Sequence, residues 1–451
     1  MNNPFQISGF ELPFTYWMTC GVLGLLLANA FAAMHLLRNV MASVVYLTVA
    51  LWYLMDPFMY PKDYARFPPE SVSFAFLQTT VFLLALRALL NFVPRTKTEA
   101  LRQFSVEDLD HGALQRVLLV TWAVLFVYGL SRVEWNIVTA LYPVEARSNY
   151  SSYMWHRGRF GGSFDFLVSS GDYLYRAVCS LFGFFYVVSR NTTRRRVMLF
   201  MMLLTWPMFV CTGTRSVLLS VCVPAILAVL LIKKWTLFQK AVFVGVVGLL
   251  INLTMIVMLE YRDRGIDEIG REERALGQVV EKRHLGRNMA EELIYLNRYM
   301  NSGKMHVRWG AEYLECALNF VPRSIWKNKP FPGQQFSELR VGKYTSGPFK
   351  GQAVATISTG LIGQGVDNFG LYAGPVAPAV LLVLYFWWLC KQLTSGGHRM
   401  LRIGLVLAAL GKIPHLGRGM TLFDLWPIVF LAVGIKFYER MVTMRDTKKA
   451  A

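Results

Sequence analysis

Apolar runs close to 20 residues long recur along this chain, and they limit its possible folds more than any other feature. A helix of that length crosses the hydrocarbon core of a bilayer, where backbone polar groups must be satisfied within the helix. With 54% hydrophobic and 17% charged residues among 451, the chain is not an ordinary soluble domain. We predict an all-α integral membrane protein with about eleven transmembrane helices. The predicted spans are 14–36, 40–58, 72–92, 114–130, 173–188, 197–211, 217–232, 241–259, 370–390, 401–413 and 422–437.

Basic residues between the spans predict the orientation of the chain. Under eleven spans these residues all fall on one side, which the positive-inside rule makes cytoplasmic. The N-terminus is then extracytoplasmic and the C-terminus cytoplasmic. The net charge of +19 follows from this distribution, and charges scattered between spans do not indicate nucleic-acid binding. The basic residues concerned are Arg38, Arg95, Lys97, Arg102, Arg116, Arg190, Arg194, Arg195, Arg196, Lys233, Lys234, Lys240, Lys391, Arg399, Arg402, Lys436, Arg440, Arg445, Lys448 and Lys449.

One long polar segment, 261–356, divides the chain into three parts. Residues 1–260 hold eight predicted spans, 261–356 form one large extracytoplasmic loop, and 357–451 hold the last three spans. Residues 261–316 carry ten basic and ten acidic side chains, whereas 317–356 carry six basic side chains and one acidic side chain. Positive charge gathered in this second half of the loop predicts that it binds an anionic group.

Metal, disulfide and cofactor sites are not indicated. The six cysteines show no paired spacing, and only Cys316 lies well outside a predicted span, so neither a disulfide framework nor a zinc site is expected. The glycines of 360–374 are not the dinucleotide-binding pattern, because they fall as G-x-x-G-x-G without a preceding strand. They predict a flexible or closely packed approach to the ninth span. No basic residue precedes Arg38, so the first span is expected to be retained and not cleaved as a signal peptide.

Arg215 stands in a short turn, 212–216, between two apolar runs on the side where basic residues are otherwise scarce. One interpretation is an interfacial arginine that snorkels to water. The other is a guanidinium held at the mouth of the bundle, where it binds phosphate oxygens in a bidentate manner. In the second case Thr214 would supply a further hydrogen-bond donor.

Arg323 begins a second basic stretch, in which Pro322 and Pro330 favour an extended and rigid backbone. Its aromatic residue, Trp326, suits either the membrane interface or stacking on a sugar ring. The alternative is a stretch that binds only anionic lipid head groups. Because Arg215 and Arg323 lie on the same predicted side, we predict that they converge on one anion. The predicted ligands from this part of the loop are Arg323, Trp326, Lys327, Lys329 and Arg340.

A proton acceptor is less clearly marked in the sequence. Asp367, at the membrane approach after the basic stretch, is the preferred general base, since positive neighbours would keep its carboxylate ionised. His415 and Arg418, in the last outer turn, are predicted to contact the substrate. Glu338 and His156 are further candidates for the base. Taken singly, each of these residues is equally consistent with a structural role.

Residues 266–300 are predicted to form an amphipathic helix within the large loop. Apolar residues recur there at helical spacings, among them Leu285, Met289, Leu293 and Leu296. The helix is expected either to lie flat on the membrane or to pack on a core formed by the loop itself.

The chain resembles the Wzy-type oligosaccharide repeat-unit polymerases, the O-antigen polymerase family of bacterial inner membranes. The likeness rests on TGTRS at 212–216 between two spans and on VPRSIWKNKP at 321–330 in a large outer loop. It also rests on the glycine-rich 360–374 that leads into the following span. It covers mainly residues 197–390. One departure is Gly363-Gln364, where the family often has Gly-Glu, and this leaves the identity of the base open.

This resemblance implies a GT-C-like membrane glycosyltransferase that works on the periplasmic face of the bacterial inner membrane. Such enzymes join lipid-linked oligosaccharide units and release undecaprenyl diphosphate. Arg215 and Arg323 would bind the diphosphate and stabilise its developing charge. No metal, nucleotide sugar or other cofactor is expected. The implied partners are the undecaprenyl-diphosphate-linked oligosaccharide, membrane lipids, and a chain-length regulator and flippase of the same pathway.

Other functions remain open at this point. An O-antigen ligase would share the layout and donor but use a different acceptor. A flippase or other transporter should carry ionisable residues in mid-span positions and show repeated halves. A scaffold subunit of a polysaccharide export complex would not need Arg215 and Arg323 to converge.

Overall fold

The structure is a computed structural model in which most of the chain is described. The described residues are 11–101, 111–143, 154–155, 165–211, 215–261, 288–318, 321, 325–326, 333–343, 345, 357–395, 399–417 and 421–450. Within them the chain is helical and contains no β-strand, which confirms the prediction of an all-α protein. The α-helices in the described residues are α1 (Phe14–Ala32), α2 (Leu37–Val49), α3 (Met55–Met59), α4 (Pro69–Leu89), α5 (His111–Ser131), α6 (Ile137–Leu141), α7 (Asp165–Val188), α8 (Thr192–Cys211), α9 (Arg215–Ile232), α10 (Leu237–Tyr261), α11 (Met289–Asn301), α12 (Ala311–Ala317), α13 (Gln334–Val341), α14 (Gly360–Ala373), α15 (Val376–Thr394), α16 (Arg399–Leu416) and α17 (Thr421–Ala450).

Every predicted apolar segment falls on one or two of these helices. Leu37–Met59 is continuous because a π-helical turn, Ala50–Leu54, joins α2 to α3. The described part of the chain thus contains the apolar helices of a membrane protein, while the count of eleven spans stays a prediction. Five described stretches are long and apolar enough to cross a membrane: Phe14–Ala32, Leu37–Met59, Pro69–Phe92, Gly112–Ser131 and Val376–Thr394.

Helix α16 runs through the middle of the bundle. Its residues from Ile403 to Ile413 are all buried, and it packs against α2, α9, α15 and α17. An apolar helix is buried either by lipid or by other helices, and here other helices cover it. The short predicted span 401–413 is therefore the most enclosed helix of the fold.

Several loops that carry predicted cytoplasmic residues meet at one end of the bundle, which we call the basic end (residues 35–38, 94–101, 391–395 and 399–402). The backbone N–H of Leu37 donates to the Thr96 carbonyl at 2.8 Å, and that of Thr98 donates to the His35 carbonyl at 2.8 Å. The Arg399 guanidinium donates to the Ala100 carbonyl at 3.2 Å. This proximity agrees with the prediction that these loops share one side of the membrane.

Helix α11 is the described part of the predicted amphipathic helix, since 262–287 lie outside the described residues. It begins at Asn288, whose side chain accepts a hydrogen bond from the Ala290 N–H at 2.9 Å, as an N-cap residue does. Its apolar face packs on α4 and α14. Asn297 donates to the Gln78 side chain of α4 at 2.8 Å. The helix thus packs on the bundle as well as on loop residues of α13, such as Phe336, so the loop does not form a core separate from the bundle.

Helices α14 and α15 form a tight hairpin. The helical path breaks at Gly370, where φ is 82°, and the chain then turns back. A Cβ atom at Gly365 would lie 2.2 Å from the Gly374 carbonyl oxygen and 2.6 Å from Pro378 Cδ. The backbones therefore approach more closely than any side chain permits. Of the two predictions made for this glycine run, close packing is confirmed.

Candidate active site

A buried group of charged residues lies where α12 meets α14, and we call it the acid cluster (Arg308, Glu312, Glu315 and Asp367). Arg308 Nη1 is 3.9 Å from Glu312 Oε2 and 4.0 Å from Asp367 Oδ2, and Arg308 Nη2 forms an ion pair with Glu315. Glu312 and Asp367 are fully buried, whereas Arg308 is the most exposed member. Three carboxyl groups therefore share one guanidinium.

Backbone and amide hydrogen bonds hold the two halves of the acid cluster together. The Arg308 N–H donates to the Asp367 carbonyl at 3.0 Å. Asn368 Oδ1 accepts from the Glu312 N–H at 3.1 Å, and Asn368 Nδ2 donates to the Gln364 carbonyl at 2.7 Å. Asn368, itself a residue of α14, thus caps the start of α12. This arrangement fixes Glu312 against Asp367.

Electrostatics require a proton in the acid cluster. Burial, and then the neighbouring Asp367 carboxyl, raise the pKa of Glu312 well above the ordinary value of a glutamic acid. The side chains of Asp367 and Gln364 are the hydrogen-bonding neighbours of the Glu312 carboxyl. Two facing buried carboxylates would repel each other, so one proton held by Glu312 lowers the energy of the pair.

The opposite end of α14 contacts a second polar region, which we call the helix-end region (Trp52, Tyr53, Lys412, Pro414 and Gly417). Tyr53 Oη accepts a hydrogen bond from the Ile362 N–H at 3.1 Å, and the Trp52 indole donates to the Pro414 carbonyl at 2.9 Å. The Leu361 N–H donates to the Gly417 carbonyl at 3.4 Å. Lys412 is a buried lysine on the central helix α16. A buried ionisable residue on an apolar helix marks a functional site by default.

Arg215 is the first residue of α9. Pro224 of α9 packs on Gly411 of α16, and α9 also contacts Thr98–Leu101 of the basic end. Helix α9 therefore lies against the central helix α16, which carries His415.

Of the other predicted site residues, some are described by the structure and some lie outside the described residues. Trp326 is partly buried, and Asp367 lies in the acid cluster. Arg340 donates to Glu292 Oε2 at 2.8 Å and to Glu291 Oε1 at 2.8 Å, and its guanidinium lies 3.6 Å from the centre of the Tyr295 ring. These contacts fasten α13 to α11. Thr214, Arg323, Lys327, Lys329 and Arg418 lie outside the described residues, so the convergence of Arg215 and Arg323 stays a prediction.

Replacing Arg340 with Met is expected to destabilise the protein by about 3–5 kcal/mol, since it removes the guanidinium that pairs with the buried Glu292 carboxylate. Thermal unfolding of the detergent-purified variant measures this loss. Lys343→Met is the matched control, because Lys343 pairs with Glu338 at the protein surface and such pairs contribute less than about 1 kcal/mol. Equal unfolding temperatures for the two variants would contradict a structural role for Arg340.

Three members of the acid cluster and Lys412 escaped the sequence-based prediction. Glu312 and Glu315 lie in the half of the loop whose charges balance, so net charge gave no signal there. Lys412 did carry a signal, as a lone lysine at the end of an apolar run. The sequence around Arg308 gave no signal of the site, because its partner Asp367 lies 59 positions away.

Comparison of the chain with protein-family models, with curated proteins and with solved structures finds no match. The function therefore has to be argued from the residues and their geometry.

Proposed function

We propose that this chain is a glycosyltransferase of the bacterial inner membrane. It polymerises undecaprenyl-diphosphate-linked oligosaccharide units on the periplasmic face, into a surface polysaccharide such as O-antigen or exopolysaccharide. The proposal includes eleven transmembrane helices, a periplasmic N-terminus and a GT-C-like fold. The basic end then faces the cytoplasm, and the chain-length regulator and flippase of the pathway are its expected partners.

One observation carries the proposal: the buried carboxyl groups of Glu312 and Asp367 face each other beside the Arg308 guanidinium. A glycosyl transfer needs a base that removes the proton from the acceptor hydroxyl, and a carboxylate can take that role. Asp367 lies seven residues along α14 from Gly360, which is about 10 Å along the helix axis. This span separates the base from the helix-end region with Lys412.

The proposed reaction balances as follows in bonds and protons. The acceptor hydroxyl oxygen attacks the anomeric carbon of the donor sugar and forms the new glycosidic bond. The bond from that carbon to the diphosphate breaks, and its electron pair leaves with undecaprenyl diphosphate. The hydroxyl proton passes to Asp367. Arg215 and Arg323 stabilise the charge that develops on the diphosphate, with Lys412 adding positive potential. Arg308 covers the carboxyl pair and has to move aside as the acceptor binds.

The first test is complementation of a host that lacks its own polymerase, with wild type compared to Arg215→Ala and Arg323→Ala at matched membrane levels. We expect both variants to lose the glycan ladder on a gel while single repeat units are still delivered, because removing a group that stabilises transition-state charge costs about 10²–10³-fold in rate. Arg190→Ala is the control, since Arg190 is an exposed basic residue between α7 and α8 on the predicted cytoplasmic side. Ladders that persist in both variants would refute the arginine roles.

Transport of a lipid-linked oligosaccharide is the second candidate function. The helix broken at Gly370 and the buried acid pair favour it, because proton-coupled transporters use both features. A host that lacks its flippase but keeps its polymerase separates the two candidates. Restored glycan in that host, and none in the polymerase-deficient host, would favour transport over glycosyl transfer.

A further inference from the structure

Three aromatic side chains are exposed beside the acid cluster, and we call them the aromatic ledge (Trp309, Phe369 and Tyr372). Trp309 is 81% exposed, Tyr372 is 83% exposed and Phe369 is 38% exposed. Residues 307–310 lie directly on residues 367–370. The Arg308 N–H donates to the Asp367 carbonyl, and a Cβ atom at Gly310 would lie 3.8 Å from Phe369 Cζ. The ledge therefore borders the residue that we propose as the base.

The backbone holds Trp309 in an unfavourable conformation to expose it. Its φ is 51°, in the left-handed region that a large side chain rarely adopts. Phe369 is held on its other side by Tyr313, whose ring lies 6.3 Å away at an interplanar angle of 29°. Tyr372 packs edge-on against Phe74 of α4, with ring centres 5.8 Å apart. Strain that exposes an indole next to a buried charged site is typical of ligand contacts.

Exposed polar and charged side chains lie close in sequence to the ledge. Lys304 and His306, just before Trp309, are both exposed, and so is Glu70 near the start of α4. Charged side chains are costly in hydrocarbon, so a surface on which they stand beside the ledge faces water or lipid head groups. Exposed aromatic rings in such a setting bind flat apolar faces, and the C–H face of a pyranose ring is one.

We propose that the aromatic ledge is a carbohydrate-binding subsite, on which Trp309 and Tyr372 stack against sugar rings of the acceptor glycan. This inference rests on the proposed function for its choice of ligand. The ledge holds the acceptor chain next to Asp367, and Arg308, the most exposed member of the acid cluster, offers hydrogen bonds to sugar hydroxyls. The donor diphosphate takes no part in this contact.

The test measures glycan binding without catalysis. The full-length chain is placed in lipid nanodiscs and titrated, with saturation-transfer NMR as the readout, against oligosaccharides of one to three repeat units. These are released by partial acid hydrolysis from the surface polysaccharide of the cells that carry the gene, and they bear neither lipid nor diphosphate. The variants are Trp309→Asn and Tyr372→Ala. Asn is chosen because it tolerates the left-handed backbone.

Trp135→Asn is the matched control, since Trp135 is 61% exposed and has a φ of 61° but lies after α5, away from the acid cluster. We expect Trp309→Asn and Tyr372→Ala each to raise Kd about tenfold, and Trp135→Asn to change it less than about twofold. Kd values for both ledge variants equal to that of wild type, or no binding to wild type, would overturn the proposal. Quenching of Trp309 fluorescence by lipids brominated in their acyl chains would also overturn the proposal, because it would place Trp309 among the acyl chains.

The two proposals fail in different ways. If the protein binds glycan through the ledge but never restores a glycan ladder, polymerisation is refuted and the carbohydrate subsite is supported. Ladders that depend on Arg215 but are unchanged in Trp309→Asn and Tyr372→Ala would refute the subsite and keep the polymerase.

Discussion

Replacing Asp367 with Asn is expected to reduce glycan polymerisation by about 10²–10⁴-fold, the range that a general base contributes. The variant should fold at least as well as wild type. Asn has nearly the same shape as Asp, and it removes one of two facing buried carboxylates. The measurements are the glycan ladder in the polymerase-deficient host and the thermal unfolding temperature in detergent. An unchanged ladder at wild-type membrane levels would assign the base elsewhere.

Replacing Glu312 with Gln tests how the titration of this one carboxyl group affects stability. Because the folded-state pKa of Glu312 is raised above its unfolded value, this group adds stability below the ordinary glutamic acid pKa of about 4.3. That contribution is lost as the pH rises through the folded-state pKa. Wild type should therefore lose stability relative to Glu312→Gln as the pH is raised from about 4 towards neutrality. Parallel unfolding temperatures for the two proteins across that range would contradict a raised pKa.

Gly365→Ala is expected to destabilise the fold by about 3 kcal/mol or more, the upper part of the range for overpacking. The added Cβ would lie 2.2 Å from a backbone oxygen of Gly374, so the two limbs of the hairpin have to separate. Asp367 lies two residues further along α14, and activity should fall together with stability. Unfolding in detergent by added SDS measures the change.

Gly245→Ala on α10 is the matched control for this effect. A Cβ atom there would meet no described atom within 4 Å, so the substitution removes only the conformational freedom of glycine. We expect it to stabilise the helix by up to about 0.5–1 kcal/mol. A similar loss of stability for Gly245→Ala and Gly365→Ala would show that any alanine in these helices is harmful, and that close approach in the hairpin is not the cause.

Helix positions were predictable from the sequence because they depend on local composition. Each predicted apolar segment falls on one or two helices, since a backbone in an apolar environment satisfies its hydrogen bonds only within the helix. The contact between Thr98 and His35 and that between Arg399 and Ala100 agree with loops grouped from charge alone. Asp367 was also singled out, because it lies at the membrane approach directly after the basic stretch.

The partners of those residues were decided only by the tertiary structure. Glu312 and Asp367 are 55 positions apart, and Arg340 is 48 positions from Glu292, so no periodicity or local spacing links them. The sequence marked Arg340 as a basic residue of the loop but not its contacts with Glu291, Glu292 and Tyr295. The glycine run allowed either flexibility or close packing, and only the approach of Gly365 to Gly374 settled the choice. Local chemistry thus determined where helices form, while long-range packing decided which buried charges face each other and where a proton is held.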